Sequence, residues 1–264
     1  MQKGALHIHS TYSDGELTLT ELRVLFVQAG CRFACVTDHA DFFDAEKLRA
    51  YVDECHACSD ETFRLIPGLE YSCVDRMHVL GYGTTARIAS IDPQVVIRRI
   101  RESGGVSAIA HPKDDAFAWI RTFDELPNGI ETWNTKYDGR YAPRSATFGL
   151  LAELKRRQSD MTAFYGQDLH WRRQYRGLFV EIAGDTTERD AVLDALRRGD
   201  YVGVKDDLRL PSSGDVLPEV MARFAEAHAR SQRFRRWAKR AKQWADAHGI
   251  AVPAAMKAQL RRMF

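Results

Sequence analysis

Ala5-Leu6-His7-Ile8-His9-Ser10-Thr11-Tyr12-Ser13-Asp14-Gly15 opens the chain with a short apolar run carrying two histidines at alternate positions, followed by a polar stretch with an acid. Ala5 to His9 reads as a β-strand. Residues two apart in an extended chain project to the same side, so His7 and His9 are expected to grip one metal together. The same spacing recurs at Asp168 and His170, in Gly166-Gln167-Asp168-Leu169-His170.

Between these two segments β-rich runs alternate with helical patterns. Strands are expected at Phe33 to Thr37, Arg64 to Tyr71, His78 to Tyr82, Val106 to Ala110, Ile130 to Asn134, Thr162 to Tyr165 and Leu178 to Ile182. Helices are expected at Leu19 to Ala29, Ala45 to Ser59, Pro93 to Ser103, Pro143 to Arg157 and Thr187 to Arg198. Thr18 with Glu21, Asp41 or Asp44 with nearby acids, and Pro93 after Asp92 are helix-start signals. Repeated βα units predict an α/β fold with a parallel sheet, open or closed.

The Leu210-Pro211-Ser212-Ser213-Gly214 cluster predicts a boundary, with a main domain over 1–210 and an extension over 211–264. Beyond it Val216, Val220, Phe224, Ala227 and Phe234 fall at helical spacing, and a second short helix is expected after Pro253. From Met221 to Phe264 there are eleven basic residues against two acidic, a net +9 that leaves −7 for the rest of a +2 chain.

At 264 residues with 45% apolar and 28% charged residues, the composition fits a barrel-sized folded domain plus an appendage and excludes wholesale disorder. The N-terminus lacks the pattern of a secretion signal, and no apolar run approaches a membrane span. Five cysteines without a scaffold spacing predict free thiols in a reducing compartment, the cytoplasm. Cys55-His56-Ala57-Cys58 has no second pair to complete a zinc site and is expected to be structural.

The ionisable residues cluster at predicted strand ends. His7 and His9 end the first strand and His39 the second. Glu70 ends the third, His111 follows the Val106 strand, and Asp168 with His170 follows the Thr162 strand. In a parallel barrel such ends share one face, where loops build active sites. Imidazoles and carboxylates without thiolates suit Zn, Mn or Fe. His56, His228 and His248 sit at no strand end and are expected to be structural.

These motifs, His7-Ile8-His9-Ser10 with Tyr12-Ser13-Asp14-Gly15, Val36-Thr37-Asp38-His39, Gly68-Leu69-Glu70, His78-Val79-Leu80-Gly81-Tyr82, Ala110-His111-Pro112 and Asp168-Leu169-His170, resemble in order those of the PHP (polymerase and histidinol phosphatase) superfamily. The resemblance implies a distorted (β/α)7 TIM-like barrel holding two to three divalent metals. By motif, His7, His9, Glu70 and Asp168 would hold one, Glu70, His78 and His111 a second, and Asp14, His39 and His170 a third, with Glu70 bridging. Gln167 stands where the family usually has serine. Asp14 stands where histidinol phosphatases typically have histidine, which places a histidinol-phosphatase-like activity second.

The implied activity is hydrolysis of a phosphate ester, on a small phosphorylated substrate, a nucleotide or an oligonucleotide end. Glu70, Asp14 and His39 are the expected catalytic residues, since paired cations about 3.5–4 Å apart make water a nucleophile near neutral pH. Lys113, Asn134, Lys136, Arg140, Arg144, Arg172 and Arg173 are candidate substrate contacts, arginine because its fork meets two phosphate oxygens. Glu131 and Asn134, near the same rim, are expected either to support the metal ligands from behind or to touch substrate. A binding or regulatory module that keeps its metals with little turnover is the alternative. The basic tail is expected to pack on the barrel through Phe224, Trp237 and Trp244, the competing reading being contact with nucleic acid or an anionic surface.

Overall fold

Strands with buried apolar side chains alternate with helices whose apolar residues repeat every three or four positions. In the computed structural model this produces a ten-stranded sheet curled into a nearly closed barrel with helices packed outside. The structure describes residues 1–139, 142–184 and 187–248. The strands are β1 (Gln2–Ile8), β2 (Phe33–His39), β3 (Arg64–Ser72), β4 (His78–Tyr82), β5 (Val106–Ala110), β6 (Gly129–Asn134), β7 (Thr162–Gly166), β8 (Phe179–Ile182), β9 (Tyr201–Lys205) and β10 (Leu208–Pro211). The helices are α1 (Leu19–Gln28), α2 (Ala45–Ala57), α3 (Pro93–Glu102), α4 (Phe117–Ile120), α5 (Ser145–Leu154), α6 (Arg189–Arg198) and α7 (Pro218–Ala247).

Helix starts follow local chemistry. Thr18 and Glu21 form a reciprocal capping box at α1, Asp44 accepts from the amides of Glu46 and Lys47 at α2, and Asp92 caps α3 ahead of Pro93. Each helix turns an apolar face inward, Leu19, Leu22 and Phe26 in α1 and Val96, Ile97 and Ile100 in α3.

The sheet order is β10-β9-β8-β1-β2-β3-β4-β5-β6-β7. The sheet is mixed, which corrects the parallel expectation. Only β1–β2, β2–β3, β5–β6 and β6–β7 pair in parallel. β4 runs antiparallel to both neighbours because the link from Ser72 to His78 is too short for a crossover, and it reverses through left-handed Asp75 and Arg76. The β9–β10 hairpin, not expected from the sequence, turns at Asp206, also left-handed.

Closure comes from the segment just after β7. Gln167 N donates to Leu6 O at 3.0 Å and His9 N to Leu169 O at 2.9 Å, so the chain leaving the last barrel strand lies along the end of the first. Inside, Phe164 stacks on Tyr82 at 5.5 Å and meets Tyr201 at 6.0 Å, all within the buried core.

β10 includes Leu210 and Pro211, the first residues of the Leu-Pro-Ser-Ser-Gly cluster, and α7 follows that cluster and docks through Phe224 with Val220, Met221 and Ala227 against the core. Trp237 and Trp244 do not join that contact. They remain 61% and 59% exposed, which corrects the expectation that they pack on the barrel. Docking against the core stops within the helix's first three turns, so among the described residues those rings meet side chains of α7 and its end, Phe234 and His248, and not the barrel. The helix expected after Pro253 lies outside the described residues. No described helix is long and apolar enough to cross a membrane.

Phe164→Ala should destabilise the fold by about 3–5 kcal/mol, the cost of a large buried aromatic lost to a cavity. Urea denaturation with an unchanged slope checks it.

Candidate metal centre

Three of the nine expected ligands lie on left-handed backbone: His7 (φ 58), His111 (φ 31) and Asp168 (φ 51). Non-glycine residues there cost roughly 1–3 kcal/mol each and persist only where the surroundings fix them. At His7 the cause is a bulge, since Ala5 faces Ala34 but Ile8 faces Val36, so β1 carries one residue more than β2 between these pairs. Plain strand alternation is thus not what aims His7 and His9 together; the bulge does it.

Glu70, at the end of β3 beside His39 of β2, is 1% exposed and central. Its Oε2 lies 3.1 Å from His9 Nε2, 3.3 Å from His7 Nε2 and 3.6 Å from His39 Nδ1. Its Oε1 lies 2.7 Å from His78 Nδ1 and 3.3 Å from His111 Nε2. Asp168 Oδ1 lies 3.1 Å from His170 Nδ1 and 3.7 Å from His9 Nε2. Asp14, in the half-exposed loop after β1, reaches His170 at 3.3 Å, His39 at 3.7 Å and His9 at 3.8 Å.

All nine residues therefore converge. They form overlapping metal-capable groups: His9, Asp14, His39 and His170; His7, His9 and Asp168; His7, Glu70 and His111; and His39, Glu70 and His78. His9 joins the Asp14 group as well as the His7 group. Cys55, Cys58, His56, His228 and His248 belong to none of these groups.

The electrostatics fit bound cations. Burial alone would lower the proton affinity of His7, but Glu131, Asp168 and Glu70 outweigh it and hold the imidazole well above its usual range. His111 is raised in the same way, burial being outweighed by Glu70 and Asp168. Burial would raise Glu70 and Asp168, yet the surrounding imidazoles keep both well below the carboxylate range. Burial drives His9 down to about 3 against the pull of Glu70. His9 is 1% exposed, and neither ring nitrogen makes a hydrogen bond of acceptable geometry. A buried neutral imidazole without partners is costly unless a Lewis acid takes its lone pair. The donor set, imidazoles and carboxylates only, suits Zn, Mn or Fe.

Beneath the ligands, fully buried Glu131 orients the centre. Its Oε1 meets His7 Nδ1 at 2.7 Å and its Oε2 accepts from the His111 amide at 2.9 Å, which ties two of the left-handed residues to one carboxylate. Gly166 makes room for it, since a Cβ there would fall 1.7 Å from Glu131 Oε1. Asn134, for which the sequence left ligand support and substrate contact both open, is buried and donates to Glu131 at 2.9 Å and Asp168 at 3.2 Å. Asp38 carries no marking in the sequence beyond its place beside His39. It accepts from Ser10 N, Ser10 Oγ and Ser13 Oγ and so pins the loop that presents Asp14.

Of the candidate phosphate contacts, Lys136 reaches the ligands, with Nζ 3.1 Å from Asp168 Oδ1 and 3.3 Å from the His170 ring nitrogens. Lys113 is exposed and lines a small hollow with His111 and Arg76. Arg144 is committed to Asp138 at 2.7 Å, Asp114 at 2.8 Å and the Pro112 carbonyl. Arg172 is exposed, its amide on Glu16 Oε2. Arg140 lies outside the described residues.

Residues 5–182 match the family model described as the PHP domain. Over 76 residues the chain is 33% identical to the DNA polymerase/3'-5' exonuclease PolX of Bacillus subtilis (strain 168), a match covering 26% of this chain and 13% of that protein's length. Among solved structures it resembles a two-domain protein of Bacteroides vulgatus ATCC 8482, described as containing a predicted PHP-like metal-dependent phosphoesterase. That likeness has a TM-score of 0.55 at 14% identity, over 79% of this chain and 66% of that one. PsfC from Pseudomonas syringae PB-5123 matches with a TM-score of 0.54 at 15% identity, over 86% and 98% of the two chains. At these identities the two structures speak to the fold alone.

Glu131→Gln should leave the protein folded and weaken metal binding about 10–100-fold, because the amide keeps one acceptor oxygen where Glu131 uses two, so either the His7 ring or the His111 amide meets an NH2 donor instead. Metal titration against a chromophoric chelator measures it. In metal-free protein the stability added by His7 and His111 is complete below the ordinary imidazole value of about 6.5 and is lost as pH rises through their elevated values. His9 and His39, both lowered by burial, cost stability as pH falls below that value. Chelator-treated protein should therefore melt highest near pH 6.5 and lower by about pH 8.5, whereas metal-loaded protein should gain over that range, as its ligands must be deprotonated. Melting temperatures across pH, with and without chelator, decide the sign.

Proposed function

We propose, on the premise that this chain belongs to the PHP domain family, that it is a metal-dependent phosphoric ester hydrolase. The carrying observation is Glu70, a buried carboxylate within 3.6 Å of five imidazoles and placed to serve two cation positions at once. Two to three divalent cations, Zn, Mn or Fe, would be held by His7, His9, Glu70 and Asp168, by Glu70, His78 and His111, and by Asp14, His39 and His170. Cations so held supply a nucleophile from water at neutral pH and neutralise charge on phosphoryl oxygens.

The chain's own residues do the remainder. Asp14 and His39 are on the solvent-open side, 43% and 15% exposed, where a leaving oxygen can collect its proton. Lys136, at 23% exposure over Asp168, is placed to contact a non-bridging phosphate oxygen, with Lys113 and Arg172 further out on the rim. Buried Glu131 and Asn134 keep the ligands in register without touching substrate. The substrates we favour are a nucleotide or an oligonucleotide end, supported by the name of the PolX relative. Unpaired thiols at all five cysteines support a reducing, cytoplasmic setting.

A phosphate-release screen of Mn-loaded protein against nucleotides, sugar phosphates, histidinol phosphate and short oligonucleotides tests the reading. Turnover on none of them would favour a binding module. Glu70→Gln should preserve the fold, lower the bound metal count and cut kcat roughly a thousandfold or more, since the bridging charge is gone. Near-normal kcat in that variant would refute the bridging role.

A further inference from the structure

The second half of α7 has no use in the site described above, and its surface is unusual. α7 carries eight basic residues against three acidic ones. At 3.6 residues per turn, Arg230, Arg233, Trp237, Arg240 and Trp244 fall within about 80° of one another around the helix. All five are exposed, and Arg236 and Lys239 add exposed charge beside them. The stripe is continuous over four turns. Its tryptophans stand two turns apart, about 10 Å along the axis. Arg230 is paired with Glu226, the Trp237 ring rests near Phe234 at 5.5 Å and the Trp244 ring stacks on His248 at 4.5 Å; with the two indoles still 61% and 59% exposed, none of these contacts covers the stripe.

Two indole rings about 60% open to water on one helix face are costly, and exposed aromatic patches of this kind mark contact surfaces. What they contact follows from how the charges are arranged. A helix that lies on a bilayer separates an apolar face from a basic one. Here arginine and tryptophan alternate on the same face, so sinking the rings into lipid would drag Arg233 and Arg240 down with them. A second copy of the chain would oppose like charges across the contact. A flexible polyanion with planar groups at short intervals satisfies both residue types at once, phosphates on guanidinium forks and bases on indoles.

We infer that the Arg230–Trp244 stripe of α7 binds single-stranded nucleic acid, through backbone phosphates on its arginines and base stacking on Trp237 and Trp244. Single strands are preferred over duplex, because paired bases do not offer their faces to an exposed ring. Binding loosens as salt rises, in proportion to the phosphates neutralised. The site is separate from the metal ligands, so it stands or falls independently of the hydrolase reading.

Full-length, metal-loaded protein is titrated into fluorescein-labelled phosphorothioate oligothymidylate and into a duplex of equal length, with anisotropy and tryptophan quenching read over a salt series. Expected are tighter binding to the single strand, indole quenching, and a loss of about tenfold or more in single-strand affinity for Trp237→Ala with Trp244→Ala, taking the preference over duplex with it. Arg233→Glu with Arg240→Glu should weaken both forms and flatten the salt slope. Release of phosphate from a small generic ester should be unchanged in both variants, which separates failure of this site from failure of the hydrolase. Unaltered single-strand affinity in the tryptophan variant overturns the proposal. So does binding to phosphatidylglycerol vesicles with none to the oligonucleotide, or sedimentation as a dimer that the tryptophan variant abolishes.

Discussion

A carboxylate taken out of water is tolerable only where positive charge meets it, and at Glu70 the barrel surrounds one with imidazoles from β1, β2, β4 and the end of β5. Neither half of this arrangement is stable alone. Without Glu70 the imidazoles repel one another and lie buried without partners; without cationic imidazoles or metal ions the carboxylate is an uncompensated buried charge. His9 shows the remaining imbalance, a buried ring with neither nitrogen hydrogen-bonded, which cations relieve.

Holding donors from so many strands at one point strains the backbone, and the strain is localised. His7, His111 and Asp168 are left-handed, each at or just past a strand's end, and each is tied to its surroundings. Glu131 fixes the first two from below, through the His7 ring and the His111 amide, and Asn134 links Glu131 to Asp168. The bond from Gln167 to Leu6 and the Ile8–Leu169 bridge close the barrel at the same place, so the contacts that close the sheet also bring Asp168 and His170 beside His7 and His9. Gly166 belongs to this device, since any side chain there would occupy the space of the Glu131 carboxylate.

The extension obeys a different balance. Its first turns bury Phe224 and neighbouring apolar residues and are held by ordinary packing. Past Ala227 the helix contributes little to the core, and its Trp and Arg side chains face water together. The acidic body and basic tail thus have separate physical roles, one concentrating carboxylates around cations and the other presenting cations to solvent.

Much of this was legible in one dimension. Strand ends marked by His7, His39, Glu70, His111 and Asp168 show in the sequence because a barrel gathers strand ends on one face, and capping residues such as Thr18 and Asp44 act through neighbours a few positions away. What depends on distant atoms was not legible. The bulge at His7, the clamp of Asp38 on Ser10 and Ser13, and the pairing of Glu131 with His7 in particular arise from contacts 25 to 124 residues apart, for which local pattern has no signal. The same holds for Trp237 and Trp244, whose helical spacing favoured a packed face although both rings remain open. The sequence by itself determined which side chains could hold cations and in what order the barrel presents them. Only the tertiary structure decided which of them lie close enough to share an ion, which carboxylate stands behind them, and which aromatic rings remain in water, because each of those is set by where non-neighbouring chain segments pack.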